Sequence, residues 1–412
     1  MSKRQTPRAR PRRQEGVTRR ALLTSTLGAA ALTLHGRGAK AQDAPPSDTT
    51  SRPGRLSNQL GVRSPAEQPR RLPSPTSSRT PLQDLHGTIT PADLHFERHH
   101  GGVPVVDPRT YKLLVHGMVE RALTFTLDDL KRFPASTRTC FLECSGNFVP
   151  TGAETTPQQL CGMTSQSEWT GVMLSTLFRE AGARPNATWF LAEGQDAAVL
   201  SRSIPIQTSI GEAMLVYAQN GEALRPEQGY PVRLLLPGWE GNASVKWLRR
   251  VELADQPFMT REETSKYTDP LADGTARQFS FVMDARSVIT SPSCPQSVAP
   301  GWTEIRGIAW SGRGLIRRVE VSTDAGRTWK PAVLQQPVLP KAHTRFRFLW
   351  QWDGRPTEIL SRAVDETGYT QPEWKALQDV RGRRTRYHLN PVTGWTIAAD
   401  GRVRFGIERV TV

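Results

Sequence analysis

The chain has 412 residues, 37% of them hydrophobic and 23% charged, which is ample length for two domains with full cores. Its formal net charge is +15, but residues 1–41 hold ten Lys or Arg against the single acid Glu15, so +9 of that excess sits in the leader. The charge distribution therefore argues against a nucleic-acid partner. No stretch reaches the roughly 18 apolar residues of a membrane span, and none is expected to cross.

The leader has the layout of an export signal: a basic stretch, an apolar run from Ala21 to Leu34, and the small-x-small site Ala39-Lys40-Ala41. Paired arginines in Thr18-Arg19-Arg20-Ala21-Leu22-Leu23 directly precede the run, the twin-arginine pattern, with an ordinary secretory signal as the rival. A periplasmic protein exported by the twin-arginine route is expected, and that route suits a protein that folds around a cofactor before crossing. Residues 42–83 are rich in Pro and Ser, with eight prolines between Pro45 and Pro81 and no apolar periodicity, and read as an extended linker or arm.

From about Asp84 the texture is globular. Tyr111 to Gly117 reads as a strand, Thr126 as the cap of a short helix to Phe133, and Leu174, Leu177, Phe178 and Ala181 as a second helix stopped by Gly182. Short strands follow at Thr188–Ala192, Ala198–Ser203, Met214–Ala218, Val232–Leu236 and Ser244–Leu253, with Asn220-Gly221 as a tight turn. From Asp284 the pattern is strands without helices: Glu304–Trp310, Ile316–Ser322, Arg345–Trp352 and Glu358–Val364, with a hairpin turn at Asp324-Ala325-Gly326. Phe346, Phe348, Trp350 and Trp352 alternate onto one face, expected to be the inner face of a sandwich. The fold class is α+β, with a mixed domain at 84–283 and an all-β domain at 284–412.

Four cysteines occur: Cys140, Cys144, Cys161 and Cys294. Cys140 with Cys161 is the obvious candidate disulfide, whereas Cys140 and Cys144 would stand roughly 13 Å apart on an extended strand. No Cys-x-x-Cys-His motif is present, so no haem is expected on this chain. Cys144 ends the β-rich segment Thr137 to Cys144 and opens the turn Ser145-Gly146-Asn147, a setting that suits a thiolate ligand to a soft metal with room for a substrate. A small buried core residue is the plainer alternative. Phe96-Glu97-Arg98-His99-His100 concentrates cationic and titratable groups, fit either to clamp an oxyanion or to cap a solvated loop.

Arg98-His99-His100, the turn Glu143-Cys144-Ser145-Gly146-Asn147, the stretch Gly229 to Gly238 and the stretch Ser244 to Val251 together resemble the sulfite oxidase family of molybdenum enzymes. His99-His100-Gly101, Ser167 to Gly171, Asn220 to Pro226, Pro237 to Asn242 and Thr260 to Asp269 resemble its sulfane dehydrogenase branch in the bacterial Sox system most closely. The resemblance runs from about residue 84 to the end. It implies a mixed α/β molybdopterin-binding domain followed by an immunoglobulin-like dimerisation domain, with one Mo-molybdopterin per chain. Cys144 is then the thiolate ligand of the metal, and Arg98, His100 and Tyr267 line the substrate pocket.

By the same resemblance Phe96, Glu97, Arg98, His99, His100, Cys144, Asp196, Gln228, Arg233, Ser244, Val245 and Lys246 contact the cofactor. Arg233 and Lys246 fall on expected strands, where a charge suits an anionic pterin phosphate or a structural salt bridge. Gln228 departs from a family His, and Phe148-Val149 replace an Arg pair, which would make the pocket less cationic and favour sulfur presented on a larger carrier. The implied reaction is oxygen-atom transfer to sulfur. Its electrons would leave through a c-type cytochrome subunit, with a sulfur-carrier protein as substrate and a homodimer within a larger hetero-oligomer. A cytochrome-linked sulfite dehydrogenase is the other enzymatic reading, and an exported binding protein with an inactive first domain is the non-enzymatic one.

Overall fold

The computed structural model describes residues 61–410 apart from Ala272 and Arg384, so the export signal and most of the arm lie outside the described residues. The end of the arm is part of the fold. Leu72–Ser74 and Ser77–Arg79 form a hairpin whose second strand pairs with Glu97–Arg98, which carries two of the expected site residues. Its residues have no hydrophobic alternation, and the burial of Thr80 is compensated by hydrogen bonds to Leu94 O at 3.1 Å and Ser165 Oγ at 2.5 Å.

Two sheets build the first domain. One runs Glu222–Ala223, Met214–Gln219, Thr164–Met173, Ser136–Glu143, with Arg233–Leu235 added to Met214–Gln219. The other runs Leu123–Phe125, Leu113–Gly117, Leu248–Ala254, Trp189–Gly194, Ser201–Pro205. In that second sheet the pairing of Leu248–Ala254 with Leu113–Gly117 is parallel, and the rest is antiparallel. The helix Leu127–Arg132 begins with a capping box between Thr126 and Asp129, and the helix Leu174–Ala181 ends at Gly182 in the left-handed region at φ 67°. Leu174, Leu177, Phe178 and Ala181 are buried, as their spacing requires.

The strand expected over Ser244–Leu253 begins only at Leu248. Ser244 to Trp247 is irregular, because the Leu248 amide bonds back to Val232 and Trp247 takes a positive φ of 51°. Lys246 therefore lies in a loop rather than on a strand.

The second domain is a sandwich. One sheet runs Arg286–Ser291, Gly301–Trp310, Thr344–Trp352, Val333–Leu334, and the other Lys330–Pro331, Ile316–Ser322, Thr357–Asp365, Thr393–Ile397, Val403–Phe405. Phe346, Trp350 and Trp352 are buried and Phe348 packs against the same core with Trp310, Ile359 and Trp395, so the aromatic stripe is the inner face. A helix absent from the expectation, Trp374–Arg381, packs Trp374 and Leu377 inward. It turns Arg381 onto Asp284 at 2.6 Å, and that inward charge blurs its hydrophobic period. Among the described residues no helix is long and apolar enough to cross a membrane.

All four cysteines are free thiols. Cys140 belongs to the core beneath Phe96, Trp169 and Leu235, whereas Cys161 belongs to the core of the sandwich, so the expected Cys140–Cys161 pairing is not made. Burial pushes the Cys140 thiol up to about 12 and the Cys161 thiol to about 11.

Candidate active site

Cys144 is the first residue beyond the strand Ser136–Glu143, and the turn that holds it is bonded on every side. The Cys144 amide donates to Met163 O at 3.0 Å, the Asn147 amide to Cys144 O at 2.9 Å, and the Met163 amide to Asn147 Oδ1 at 2.8 Å. Glu143 anchors the turn from below. Its buried carboxylate accepts from Asn147 Nδ2 at 2.9 Å, from Trp310 Nε1 at 2.6 Å and from Arg286, two of them groups of the sandwich. Gly241 crosses so close that a Cβ there would stand 2.9 Å from Glu143 O. The glycine of the turn itself is less constrained, since a Cβ on Gly146 would meet only the ring of Tyr387 at 3.9 Å.

Cys144 opens into a cleft of about 660 Å³. Phe96, Glu97, Arg98, His99, His100, Cys144, Asp196, Gln228, Arg233, Ser244, Lys246 and Tyr267 all line it, so residues scattered over 170 positions converge on one site. Val245 is the exception: its side chain is buried in the first domain's core and only its carbonyl is engaged, by the Leu234 amide at 2.9 Å. Glu97 and Arg98 stand on an edge strand of the hairpin sheet, and Tyr267 caps a π-helical turn, Glu262–Lys266.

At the reactive end Tyr267 Oη lies 3.2 Å from His100 Nε2, and Arg98 reaches the His99 carbonyl and Thr76 O. Burial, and then the Arg98 charge, hold His100 below its ordinary value. Burial, and then the Cys144 thiolate, push the Tyr267 phenol far up. The site therefore presents a neutral imidazole and a protonated phenol beside a guanidinium. Burial also raises the Cys144 thiol, against a backbone hydrogen bond from Gly146 and the field of Arg98, so a thiolate there gains most from a metal.

Two further cations, Arg233 and Lys246, line the same cleft. Arg233, on its strand and 4% exposed, donates Nη1 to Gln228 O at 3.0 Å and Nη2 to Ser244 O at 2.8 Å, and its Nε has no partner. Lys246 Nζ donates to Glu227 O at 2.8 Å, and among the described residues no acid stands within ion-pair range of either charge. Burial pushes Arg233 down to about 9; burial, and then Arg233 itself, push Lys246 down to about 7. A structural salt bridge is thereby excluded for both. A buried Arg233 beside a half-buried Lys246, offset only by the charges of Glu97, Asp196 and Glu227 beyond ion-pair range, is costly unless an anion joins them.

Reading the sequence missed His95, Asn242 and Trp247 in the lining, and Tyr387 and His388 beside it. Burial pushes His95 down to about 3, and its Nδ1 faces Phe96 O at 2.9 Å while Nε2 lacks a partner, a neutral ring on the cleft wall. Gln228 donates to Phe96 O at 2.9 Å and Ser244 Oγ accepts from the Leu236 amide at 3.0 Å, so both also hold the wall in shape. Phe148 and Val149 do not line the cleft. Phe148 packs on Trp374 with ring centroids 5.9 Å apart and the rings tilted by 34°, so neither Phe148 nor Val149 sets the charge of the cleft lining.

The family described as "Oxidoreductase molybdopterin binding domain" matches residues 100–262, and that described as "Mo-co oxidoreductase dimerisation domain" matches residues 277–394. Sulfite oxidase of Gallus gallus is 32% identical over 313 residues, covering 69% of this chain and 68% of that protein. The chain belongs to the sulfite oxidase family of molybdopterin oxidoreductases. An NADH nitrate reductase of Solanum lycopersicum is 32% identical over 357 residues, of which the chain spans 39% of the length. The solved structure of the sulfane dehydrogenase SoxCD from Paracoccus pantotrophus matches with a TM-score of 0.78 and 43% identity, covering 93% of this chain and 98% of that one.

The residues present fit the family's cofactor. Arg233 and Lys246 offer a positive pair without ion-pair partners to a pterin phosphate, and Cys144 offers a lone sulfur donor in the same cleft. Among the described residues no group of three or more His, Cys, Asp or Glu could hold a metal, so a metal at Cys144 depends on ligands it brings with it.

Proposed function

We propose that this chain is the molybdenum-bearing subunit of a sulfane dehydrogenase, oxidising sulfane sulfur carried on a partner protein and passing electrons to a c-type cytochrome subunit. The observation that carries this reading is the 43% identity sustained over 98% of the Paracoccus SoxCD chain. When bound, one Mo-molybdopterin per chain supplies oxygen-atom transfer to sulfur and accepts the two electrons released. The protein's own residues do the rest. Cys144 ligates the metal, Arg233 and Lys246 neutralise the phosphate, and Arg98 holds the growing sulfur oxyanion while the Tyr267 hydroxyl, oriented by His100 3.2 Å away, donates to it. Because both His100 and Tyr267 are held uncharged, they orient the substrate by hydrogen bonding and leave the compensation of the growing negative charge to Arg98.

The domain division falls at residue 284, with the hairpin Leu72–Arg79 joined to a cofactor domain over 84–283 and the sandwich over 284–412 pairing two copies. Export to the periplasm by the twin-arginine route follows from the leader, and haem is assigned to the cytochrome subunit. A sulfite dehydrogenase is the second reading, favoured by the half-buried guanidinium of Arg98 in the cleft and by the likeness to sulfite oxidase. Steady-state oxidation by the purified holoenzyme separates them. Turnover of a persulfide-bearing carrier with cytochrome c as acceptor is expected, and efficient turnover of free sulfite with none of the carrier would replace the first reading by the second.

A further inference from the structure

One edge of the reaction site is built by the second domain. The segment Thr385 to His388 crosses from the sandwich to the first domain: Thr385 Oγ1 donates to Asp269 Oδ1 at 3.0 Å, and the His388 amide donates to Ser145 O at 2.8 Å, inside the turn that carries Cys144. The ring of Tyr387 stands 5.2 Å from that of Tyr267. His388, only 3% exposed, points Nε2 at Glu240 Oε2, 3.3 Å away.

Glu240 is the centre of a buried chain. Its Oε1 accepts from Arg202 Nη1 at 2.9 Å, and its Oε2 accepts from Asn242 Nδ2 at 3.0 Å, an amide that also reaches Ser145 Oγ at 3.3 Å. Arg202 in turn pairs through Nε with Glu263 at 2.6 Å and places its guanidinium 5.1 Å from the centroid of the Tyr267 ring. Arg202, Glu240 and Glu263 are all 1% exposed, so none is satisfied by solvent and each fixes the next. One guanidinium faces two carboxylates, and the N–H of His388 joins Asn242 Nδ2 on Glu240 Oε2.

The geometry points to the His388 side chain as a positioning group for the reaction: through Glu240 and Arg202 it sets the Tyr267 ring, and through Glu240 and Asn242, whose amide reaches Ser145 Oγ, it sets the turn of Cys144, so the second domain completes the site. This rests on the functional reading above only for the choice of substrate. The mechanism needs Tyr267 in register with His100, and displacements of about 1 Å in such groups cost roughly a hundredfold.

Two variants test it in the holoenzyme. His388→Phe keeps the ring volume and removes the donor; His388→Gln keeps a donor at similar reach. Expected are molybdenum contents equal to wild type, a fall in kcat of about tenfold or more for the Phe variant with KM changed less than about threefold, and recovery by the Gln variant to within about threefold. In a Tyr267→Phe background the same His388→Phe change should cost less than about threefold. Hydrogen exchange of the peptide 141–148 in the holoenzyme should be faster in the Phe variant and normal in the Gln variant, a reading that needs no turnover. Equal losses with and without Tyr267, unchanged kinetics or unchanged exchange in the Phe variant, or loss of molybdenum in both variants, would each overturn the assignment. If wild type oxidised neither carrier-bound sulfane nor sulfite, the functional reading would fall while the exchange result still decided the role of His388.

Discussion

Arg233→Met should stabilise the cofactor-free protein and abolish cofactor retention. Burial holds the Arg233 guanidinium at about 9 instead of 12.5, and at about 1.4 kcal/mol for each tenfold change in proton affinity this is roughly 5 kcal/mol against the charged form. Replacements of buried charges by apolar side chains typically recover on the order of 1–4 kcal/mol of it; Met fills the space beside Trp169, and the loss of the donors to Gln228 O and Ser244 O keeps the gain at the low end of that range. The sign follows from the same shift. The penalty is complete below pH about 9 and is relieved as pH rises above it, so at neutral pH the variant gains nearly all of it. Protein prepared in a cofactor-deficient host should therefore unfold at a midpoint higher by a few degrees in the variant, measured by urea and heat. Protein prepared with cofactor should lose its pterin. Cofactor-free variant protein that is less stable than wild type, or loaded variant protein with full pterin, would refute the reasoning that this cation is kept for an anion.

Lys246, held at about 7, predicts that pterin retention by the empty protein weakens as pH rises from about 7 to 9, since binding must then take up a proton; pterin affinity measured across that range should be flat in Lys246→Met. Tyr267→Phe should lower kcat/KM for the sulfur substrate by roughly ten- to a hundredfold with the urea midpoint unchanged, because only the hydroxyl facing His100 is lost. Although burial opposes it, Arg202 together with hydrogen bonds from His388 and Asn242 holds Glu240 at about 2, so its contribution is present above pH about 4.5 and is lost as pH falls toward 2. Glu240→Gln should cost on the order of 3 kcal/mol at pH 7 and flatten that part of the acid-unfolding curve. Phe148→Ala should cost about 3 kcal/mol through its lost packing on Trp374, and leave the ratio of sulfane to sulfite turnover unchanged.

The sequence made the site legible wherever chemistry was unusual for its place. A thiol at a strand's end and a run of Arg98, His99 and His100 pointed to one cleft, and the structure brings them there with Asp196, Arg233 and Tyr267. Between Ser244 and Lys246, which line the cleft, the Val245 side chain lies in the core. What stayed hidden came from long-range packing. Tyr387 and His388 lie in a polar, Arg-rich stretch with no apolar period, and their role depends on partners such as Glu240, 148 positions away. The hairpin at Leu72–Arg79 was hidden for the opposite reason: Ser77, Ser78 and Thr80 are buried without hydrophobic alternation, so the pattern that marks a strand is missing. The helix Trp374–Arg381 keeps only Trp374 and Leu377 as inward apolar marks and spends its last turn on an ion pair.

The most direct measurement is X-ray absorption at the molybdenum edge, on the purified protein and on its Cys144→Ser variant. Stoichiometric molybdenum is expected in the wild type, and one fewer sulfur neighbour around the metal in the variant. A metal-free wild type, or the same sulfur count in both proteins, would contradict this expectation.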